Sequence, residues 1–471
     1  MNFDLKSIKL PDTLVLIFSI LILISILTWF YPGGKYERKM LNGREVVQPD
    51  SYKEVESVPQ GLGELLTAPI KGFVNAGQII AFVLIVGGSF VVIQKTGAFD
   101  ALINKIADHR HDGSIMDILI IPIAMILFST FGSVFGMSEE VIPFILIFVP
   151  LAISLGYDSI VGAAIPFVGA GAGFAGAFLN PFTIGIAQGI ADLPPVSGLV
   201  YRIIVWIIVT SVAIIFVMLY AARIRKNPEL SRVYKIDEYW RNHILYYRNE
   251  SAADKLSRSH LIILIVFGFG MLGLIFGVIF FKWYINEISA LFLGLALTIG
   301  IISHLSVNEI AKGFVDGARD LVGVAFIIAL ARSILIIAGD GHIIDSILHG
   351  LSGLVRGTHP IFAAQLMFVV QSIINVFVPS GSGQAALTMP IMAPLSDLLG
   401  VTRQTAVLAF QFGDGFTNLI IPTSGVTMGV LGVARIPYQK WFGWVLSLQI
   451  IFFIVSFILL IPPVLMHWGP F

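Results

Sequence analysis

Residues 379–385 read Pro-Ser-Gly-Ser-Gly-Gln-Ala, and they interrupt an uncharged, mostly apolar run that extends from residue 360 to residue 395. Since a helix crosses the hydrocarbon of a bilayer in about 20 residues, this run is too long for one straight span. Glycine lets the backbone turn sharply, and serine supplies hydroxyl and amide ligands. The stretch predicts the tip of a re-entrant hairpin, which is tolerated at membrane depth only where it is buried in protein or lines a wet cavity.

The composition of the whole chain indicates a membrane protein. Of its 471 residues, 56% are hydrophobic and 12% are charged, whereas soluble domains carry about 25% charged residues. The net charge is +0, which does not favour nucleic acid as a partner. The absence of cysteine excludes disulfides, thiol redox chemistry and cysteine-ligated metals. The composition predicts an all-α, polytopic membrane protein.

Uncharged runs suited to membrane spans recur along the sequence, at residues 13–34, 73–94, 118–138, 141–157, 159–191, 203–222, 261–281, 288–307, 360–395, 415–434 and 441–466. The first run predicts an uncleaved anchor helix. The segment 223–258 is the most basic connection and is therefore expected in the cytoplasm. This places the amino terminus inside and the 35–71 loop outside. Trp283 and Tyr284 are among the aromatic residues expected in interfacial belts.

An internal repeat relates the two halves of the chain. Lys-Gly-Phe-Val-Asn at residues 71–75 recurs as Lys-Gly-Phe-Val-Asp at residues 312–316. Each copy leads into an apolar span, a short amphipathic segment (99–106 or 343–351) and two interrupted apolar segments. Because the spans between the copies put them on opposite membrane faces, the sequence predicts an inverted repeat, as in many secondary transporters. The amphipathic segments are either interfacial helices or ordinary helix ends packed on their neighbours.

Matching interruptions in the two repeats are the candidate binding elements. Residues 136–143 (Gly-Met-Ser-Glu-Glu-Val-Ile-Pro) predict a first hairpin tip, the counterpart of the one at 379–385. Residues 179–183 (Leu-Asn-Pro-Phe-Thr) and 421–425 (Ile-Pro-Thr-Ser-Gly) predict two broken helices, because proline removes a helical hydrogen bond and disfavours helix at the preceding residue. Either break alone is equally compatible with a proline kink relieved by neighbouring helices. A helix amino terminus after each tip is expected to attract a carboxylate.

Ionisable side chains inside apolar runs are costly and indicate function. Glu139 and Glu140 lie at the first tip, Arg332 interrupts the run 321–339, and Asp414 has Asn418 one helical turn away. The predicted substrate-binding residues are Ser138, Glu139, Glu140, Asn180, Thr183, Ser380, Ser382, Gln384, Asn418, Thr423 and Ser424. The predicted ion-binding residues are Gly413, Asp414, Thr417, Asn418, Asn180 and Pro181, and no metal other than an alkali cation is expected. Alternatively, Asp414 is a structural partner of Arg332, and the two glutamates face bulk water.

These residues resemble the YfcC/DcuC-like carriers, a branch of the ion transporter superfamily. The motifs that carry the resemblance are residues 378–386 with Pro390 and Pro394, residues 413–418 through 422–425, and, in the first half, residues 138–140 followed by 176–183. The resemblance implies a two-domain elevator transporter, often a homodimer, in the bacterial cytoplasmic (inner) membrane. Members are labelled as dicarboxylate carriers or as basic amino-acid exchangers. A Ser-Asn-Thr motif that contacts substrate carboxylates in related branches is not contiguous at either tip here.

The resemblance also implies a division into moving and fixed parts. The arm helices of these carriers correspond to the amphipathic segments of this chain. Their substrate and ion sites correspond to the tips near 136–140 and 379–385 and to the broken helices near 180–183 and 413–425. The expected divisions are a scaffold part at 1–112, a transport part at 113–222, a cytoplasmic linker at 223–258, a second scaffold part at 259–358 and a second transport part at 359–471.

The sequence predicts a secondary active transporter, either a symporter or an exchanger, of a small carboxylate-bearing metabolite. Three acids, Glu139, Glu140 and Asp414, against the single base Arg332 repel a dianion, so an amino acid fits the charges better. A C4-dicarboxylate carrier of the same fold and a passive channel for small organic solutes are the alternatives. No enzymatic activity is expected, and no cofactor beyond Na⁺ or H⁺ as coupling ion. The expected partners are the substrate, the lipid bilayer and a second copy of the chain.

Overall fold

The computed structural model describes residues 13–41, 44–48, 51–99, 101–102, 115–242, 257–281, 283–355 and 357–469. Most of the amphipathic segment predicted at 99–106 and residues 243–256 of the basic linker lie outside this part of the chain. Among the described residues, six helices are long and apolar enough to cross a membrane. The chain is a mostly helical, multi-pass membrane protein, as its composition predicts.

Helices dominate both halves of the chain. The first half contains α1 (Thr13–Phe30), β1 (Gly33–Lys35), β2 (Arg38–Leu41), β3 (Arg44–Val47), β4 (Lys53–Val55), α2 (Leu62–Asn75), α3 (Gly77–Gln94), α4 (Ile115–Phe135), α5 (Ile142–Ser154), α6 (Ser159–Ala175), α7 (Ile184–Ile190) and α8 (Leu199–Lys226). The second half contains α9 (Arg258–Phe281), α10 (Ile285–Ile302), α11 (Val307–Asp320), α12 (Val322–Asp340), α13 (Ile343–Val355), α14 (Pro360–Phe377), α15 (Gly381–Leu398), α16 (Arg403–Thr417), α17 (Gly425–Val433), α18 (Tyr438–Leu459) and α19 (Ile461–Leu465).

The span predicted at 73–94 corresponds to α3 (Gly77–Gln94), and a separate helix that the sequence did not predict precedes it. Helix α2 starts at Leu62, because the Glu64 carboxylate accepts a hydrogen bond from the Gly61 amide at 2.9 Å and caps the first turn. Helices α2 and α3 meet at Ala76, where one helix ends and the next begins. The prediction of a loop over 35–71 is therefore wrong for its last ten or so residues, which are helical.

Short strands occupy the remainder of that predicted loop. Strand β1 pairs with β4, and β2 pairs with β3, both antiparallel. Strand β1 packs against helix α13, whereas β3 packs against α15. On α13, Asp345 accepts hydrogen bonds from the Arg38 guanidinium at 2.9 and 3.1 Å and from the Tyr36 amide at 3.0 Å. The Tyr52 ring stacks on His349 with ring centroids 3.9 Å apart. The polar side of α13, for which the sequence left open an interfacial helix or a packed helix end, is thus covered by the chain itself.

Two helix pairs pack against each other reciprocally. Helix α2 lies against α12, and helix α11 lies against α3. A Cβ atom on Gly72 would lie 2.2 Å from the carbonyl oxygen of Ala329, and one on Gly88 would lie 2.7 Å from the carbonyl oxygen of Phe314. Gly72 and Phe314 belong to the two copies of the repeated Lys-Gly-Phe motif. The first copy of the motif therefore brings α2 into close backbone contact with α12, and the second copy brings α11 into close backbone contact with α3.

Helices α6 and α16 form the centre of the fold and are buried along nearly their whole length. The described part of the basic linker holds the beginning of α6, because Asp237 accepts a hydrogen bond from the Ser159 amide at 2.9 Å. Burial raises the pKa of the Asp237 carboxyl to about 6. The Trp240 indole donates to the carbonyl oxygen of Ala434 at 3.2 Å, just after α17. This part of the linker consequently binds the ends of two different helices.

We expect Gly72→Ala to destabilise the protein by about 1–3 kcal/mol, because the added methyl group overlaps the backbone of α12. Gly63→Ala is the matched control on the same helix, since nothing lies within 4 Å of its Cβ position. The control is expected to be neutral or slightly stabilising. Thermal unfolding in detergent measures both variants, and equal melting temperatures would contradict the close approach of α2 and α12.

Candidate functional site

Both predicted hairpin tips are places where helices end. Helix α4 ends at Phe135, the backbone turns at Gly136 with φ of +73°, and α5 begins at Ile142. A left-handed φ of this kind costs glycine little, which explains a glycine at this turn. Helix α14 ends at Phe377, and the Ser380 hydroxyl accepts a hydrogen bond from the Gly383 amide at 3.4 Å at the start of α15. Each tip thus leads into a new helix amino terminus.

Both predicted breaks are also interruptions in the structure. Helix α6 ends at Ala175, and the short helix α7 begins only at Ile184. Helix α16 ends at Thr417, and α17 begins at Gly425 after the Ser424 hydroxyl caps it by accepting a hydrogen bond from the Thr427 amide at 3.4 Å. The segments between these helices leave backbone groups free of helical hydrogen bonds.

The two tips and the two breaks meet around one cavity of about 430 Å³. Most of the predicted substrate-binding residues line it, namely Ser138, Glu139, Glu140, Thr183, Ser380, Ser382, Asn418, Thr423 and Ser424. The charged side chains among its described lining residues are Glu139, Glu140 and Arg332. The cavity is large enough for a small metabolite and carries carboxylates and one guanidinium.

Two predicted substrate-binding residues lie behind this surface rather than on it. The Asn180 side-chain oxygen accepts hydrogen bonds from the amides of Phe182 at 2.9 Å and Thr183 at 3.3 Å. Asn180 also lies against the first tip, since a Cβ atom on Gly136 would be 2.6 Å from its side-chain oxygen. The Gln384 amide donates to the side-chain oxygen of Gln371 at 2.7 Å, inside the second hairpin. Both side chains hold the tips in shape instead of lining the cavity.

Asp414 is fully buried behind the second tip. One carboxylate oxygen accepts a hydrogen bond from the Asn418 amide at 3.1 Å, and the other has no partner among the described residues. A Cβ atom on Gly381 would lie 2.7 Å from this second oxygen and 2.4 Å from the Thr183 methyl group. Asp414 and Thr183 therefore meet at the glycine of the second tip, where a side chain larger than hydrogen does not fit.

The alternative in which Asp414 pairs with Arg332 is wrong. The Arg332 Nε atom donates instead to the side-chain oxygen of Asn75, at the end of α2. The two charges are separated because Asp414 lies behind the tip, whereas Arg332 lines the cavity. Arg332 is thus available to an anionic group in the cavity.

Several buried oxygens near the breaks lack a hydrogen-bond partner among the described residues. They are the side-chain oxygens Thr183 Oγ1, Asn375 Oδ1, Asp414 Oδ2, Thr417 Oγ1 and Thr423 Oγ1. Buried polar atoms are normally satisfied, so such a group of acceptors is expected to have a ligand or a proton. Oxygen ligands of this type suit a hard cation. Of the other predicted ion-binding residues, Pro181 is exposed and Gly413 packs against Gln371. The side-chain oxygens of Asn180 and Asn418 already accept hydrogen bonds.

The sequence missed three polar residues that line the cavity: Asn75, Gln78 and Tyr284. Tyr284 lines the cavity together with Glu139, and its assignment to an interfacial belt stays a prediction. Asn75 ends the first copy of the repeated motif, and its position in that repeat was the one signal in the sequence that marked it. Nothing in the sequence distinguished Gln78 or Tyr284 from ordinary residues at the ends of apolar runs.

Comparison with known proteins assigns the chain to a family. Residues 10–465 match the model of the DcuC family, described as C4-dicarboxylate anaerobic carrier. The chain belongs to the DcuC family. It is 38% identical to an Escherichia coli (strain K12) protein named "Putative basic amino acid antiporter YfcC", over 98% of this chain and 97% of that protein. The names of the family and of this relative are those of transport proteins and not of enzymes.

Two solved structures also resemble this DcuC-family chain. The Alcanivorax borkumensis YdaH transporter is 16% identical with a TM-score of 0.41, and the alignment covers 98% of this chain and 100% of that one. Neisseria gonorrhoeae MtrF, described within a class of antimetabolite efflux pumps, is 16% identical with a TM-score of 0.40, and the alignment covers 96% and 95%.

Because the chain has no native cysteine, single introduced cysteines report directly on access to the cavity. We expect Ser382→Cys to react with a small charged thiol reagent roughly tenfold faster, or more, than Thr388→Cys. Ser382 lines the cavity, whereas Thr388 is fully buried two turns further along the same helix. The labelling rates of the two variants are measured by mass spectrometry. Equal rates would contradict the position of the second tip.

Proposed function

We propose that this protein is a secondary active transporter that carries an amino acid across the membrane by alternating access. The observation that carries the proposal is the single cavity lined by both tips and both breaks. Broken helices and hairpin tips at membrane depth are the elements from which many transporters build their substrate sites. Membership in a family of carriers supports the same function.

The charges of the cavity favour an amino acid as the substrate. Arg332 and the helix amino termini that follow the tips attract a carboxylate. Glu139 and Glu140 attract an ammonium group, and a basic amino acid brings a second positive charge to them. A dianion meets two carboxylates and one guanidinium, which is net repulsion. The name of the Escherichia coli relative, a basic amino acid antiporter, agrees with this choice.

A C4-dicarboxylate is the second candidate substrate. The family description names this class of compound, and the capped amino termini of α15 and α17 at Ser380 and Ser424 are suited to carboxylates. For a dicarboxylate to bind, Glu139 or Glu140 has to be neutralised by protons or cations. This candidate therefore predicts uptake that depends strongly on pH or sodium.

The motion we propose is an elevator movement of an inverted repeat. The reciprocal packing of α2–α3 with α11–α12 supports two related modules. In this scheme, Asn75, Tyr284 and Arg332 belong to the scaffold parts, whereas the tips and breaks belong to the transport parts. The cavity then lies at the boundary of the two, so sliding of the transport parts exchanges one wall of the site. We further propose a homodimer in the inner membrane with its amino terminus inside.

We propose Asp414 as the site of the coupling cation, Na⁺ or H⁺. It is buried, it has one free carboxylate oxygen among the described residues, and it meets Thr183 at the glycine of the second tip. A cation or proton bound there neutralises a charge that is costly in this environment. Because Gly381 separates Asp414 from the cavity, binding of the ion is expected to stabilise the closed tip above the substrate.

Uptake into proteoliposomes tests the function. We expect radiolabelled lysine to be taken up, with faster uptake when unlabelled lysine is loaded inside. Uptake of succinate but not of lysine would favour the second candidate. A flux that unlabelled substrate inside fails to accelerate would support a passive channel and contradict the proposal.

Arg332→Gln is expected to raise the KM for a basic amino acid about 10- to 100-fold, because a charge-assisted hydrogen bond to the carboxylate is lost. Arg332→Lys keeps the charge and is expected to lose less. Arg435→Gln is the matched control, since Arg435 pairs with Asp320 at 3.0 Å away from the cavity. Uptake measured over a range of substrate concentrations gives the KM of each of the three variants. An unchanged KM in Arg332→Gln would exclude Arg332 from the carboxylate site.

Asp414→Asn is expected to abolish the dependence of uptake on the coupling ion, because asparagine removes the negative charge while keeping the hydrogen bond to Asn418. Asp397→Asn is the control for loss of a carboxylate, since Asp397 pairs with Arg403 at 2.9 Å on the protein surface. Uptake is measured with sodium replaced by potassium and at two pH values. Full uptake with unchanged ion dependence in Asp414→Asn would rule out its ion-binding role and leave the substrate site unaffected.

A further inference from the structure

Arg202, in the first turns of helix α8, is a completely buried cation. Its exposed fraction is 0%, and all three guanidinium nitrogens lack a hydrogen-bond partner among the described residues. An arginine side chain stays protonated in proteins, so burial does not remove the charge. A buried charge without a partner is strongly unfavourable. Something outside the described residues is therefore required to compensate the guanidinium.

Among the described residues, the surroundings of Arg202 supply positive potential and no ion-pair partner. Arg202 is the fourth residue of α8, which begins after Gly198 without a side-chain cap, so unpaired amides of the first turn add to the positive charge. The Arg202 Cζ atom lies 5.4 Å from the centroid of the Trp468 ring. The indole face contributes a cation–π contact, but it cannot accept hydrogen bonds from the guanidinium edge.

The acids at this end of the fold are engaged elsewhere. Arg403 binds the carboxylates of Asp192 at 3.1 Å and Asp397 at 2.9 Å, and it also donates to the carbonyl oxygen of Ala191 at 2.9 Å. This arginine illustrates the usual solution, in which each cation has carboxylate and carbonyl partners. Arg202 has neither among the described residues, although it is the more deeply buried of the two.

The turn before α8 closes over this position. Gly198 adopts a φ of +74°, and a Cβ atom on it would lie 2.2 Å from the Gln404 amide nitrogen and 2.4 Å from the Trp468 ring. The Gln404 amide donates to the carbonyl oxygen of Ser197 in the same turn. Glycine is thus required for α8, α16 and the segment after α19 to meet here. The result is a closed environment around Arg202, separate from the cavity between the tips, which Arg202 does not line.

We propose that a small monovalent inorganic anion of the chloride class binds to the Arg202 guanidinium at the amino terminus of α8. A single positive charge favours a monovalent ion, and complete burial favours a small one over a lipid headgroup or an organic acid. The anion is structural: it joins the turn before α8 to α16 and Trp468, and it is not transported. The proposal is independent of the transported substrate, because it involves none of the residues that line the cavity.

Thermal unfolding of the purified full-length protein tests the proposal. In sodium chloride, the melting temperature of the wild type is expected to exceed that in sodium gluconate of equal ionic strength by several degrees, in a saturable manner. Arg202→Met removes the charge and is expected to melt at the same temperature in both salts. Arg435→Gln is the control and is expected to keep the wild-type response.

Equal melting of the wild type in both salts, or a chloride response that persists in Arg202→Met, would overturn the proposal. If Arg202→Met does not fold, the wild type alone decides the matter. A structure determined in sodium bromide is then expected to show an anomalous peak at hydrogen-bonding distance from the Arg202 nitrogens. The absence of such a peak would refute the anion site.

Discussion

Backbone groups that leave a helix at membrane depth have to be satisfied by protein or by water, because hydrocarbon offers no hydrogen bonds. This constraint governs the arrangement of the four interruptions in the chain, after α4, α6, α14 and α16. Scattered over the fold, each would need its own polar surroundings. Gathered in one place, the four interruptions share a single cavity of about 430 Å³. Helices α6 and α16, which lead into two of the interruptions, are buried along nearly their whole length.

Contacts behind the cavity join the interruptions to each other. Asn375, on the first arm of the second hairpin, donates to the carbonyl oxygen of Asp414 at 3.0 Å and to the side-chain oxygen of Asn418 at 3.1 Å. Asn180 joins the first break to the first tip, and Gly381 joins the second tip to Thr183. The contact between Gly381 and Thr183 crosses between the two halves of the chain, whereas the other contacts each lie within one half. This connectivity is what a carrier needs if substrate and ion are to bind together.

Helix-breaking residues in the sequence were sufficient to locate the interruptions. Glycine, serine and proline inside uncharged runs marked both tips and both breaks, because these residues have a strong local effect on the backbone in any environment. The side chains were predicted less well. Asn180, Gln384 and Asp414 carry the same kinds of atoms as Ser382 and Thr423, yet they lie behind the cavity, since glycines at 136 and 381 allow close approach between segments that are distant in sequence. Tyr284 and Asn75 were missed because only the fold brings their segments to the cavity, and the short strands of the first half had no marked pattern. The family was recognised from the sequence, whereas the substrate, the coupling ion and the domain movement stay predictions.

The central claim is that the tips and breaks enclose one substrate site. The most direct measurement is a high-resolution structure of the protein in lipid nanodiscs with a saturating concentration of lysine. The claim predicts density for the amino acid in the cavity, with its carboxylate at Arg332 and an ammonium group at Glu139. An empty cavity together with lysine bound elsewhere in the protein would contradict it.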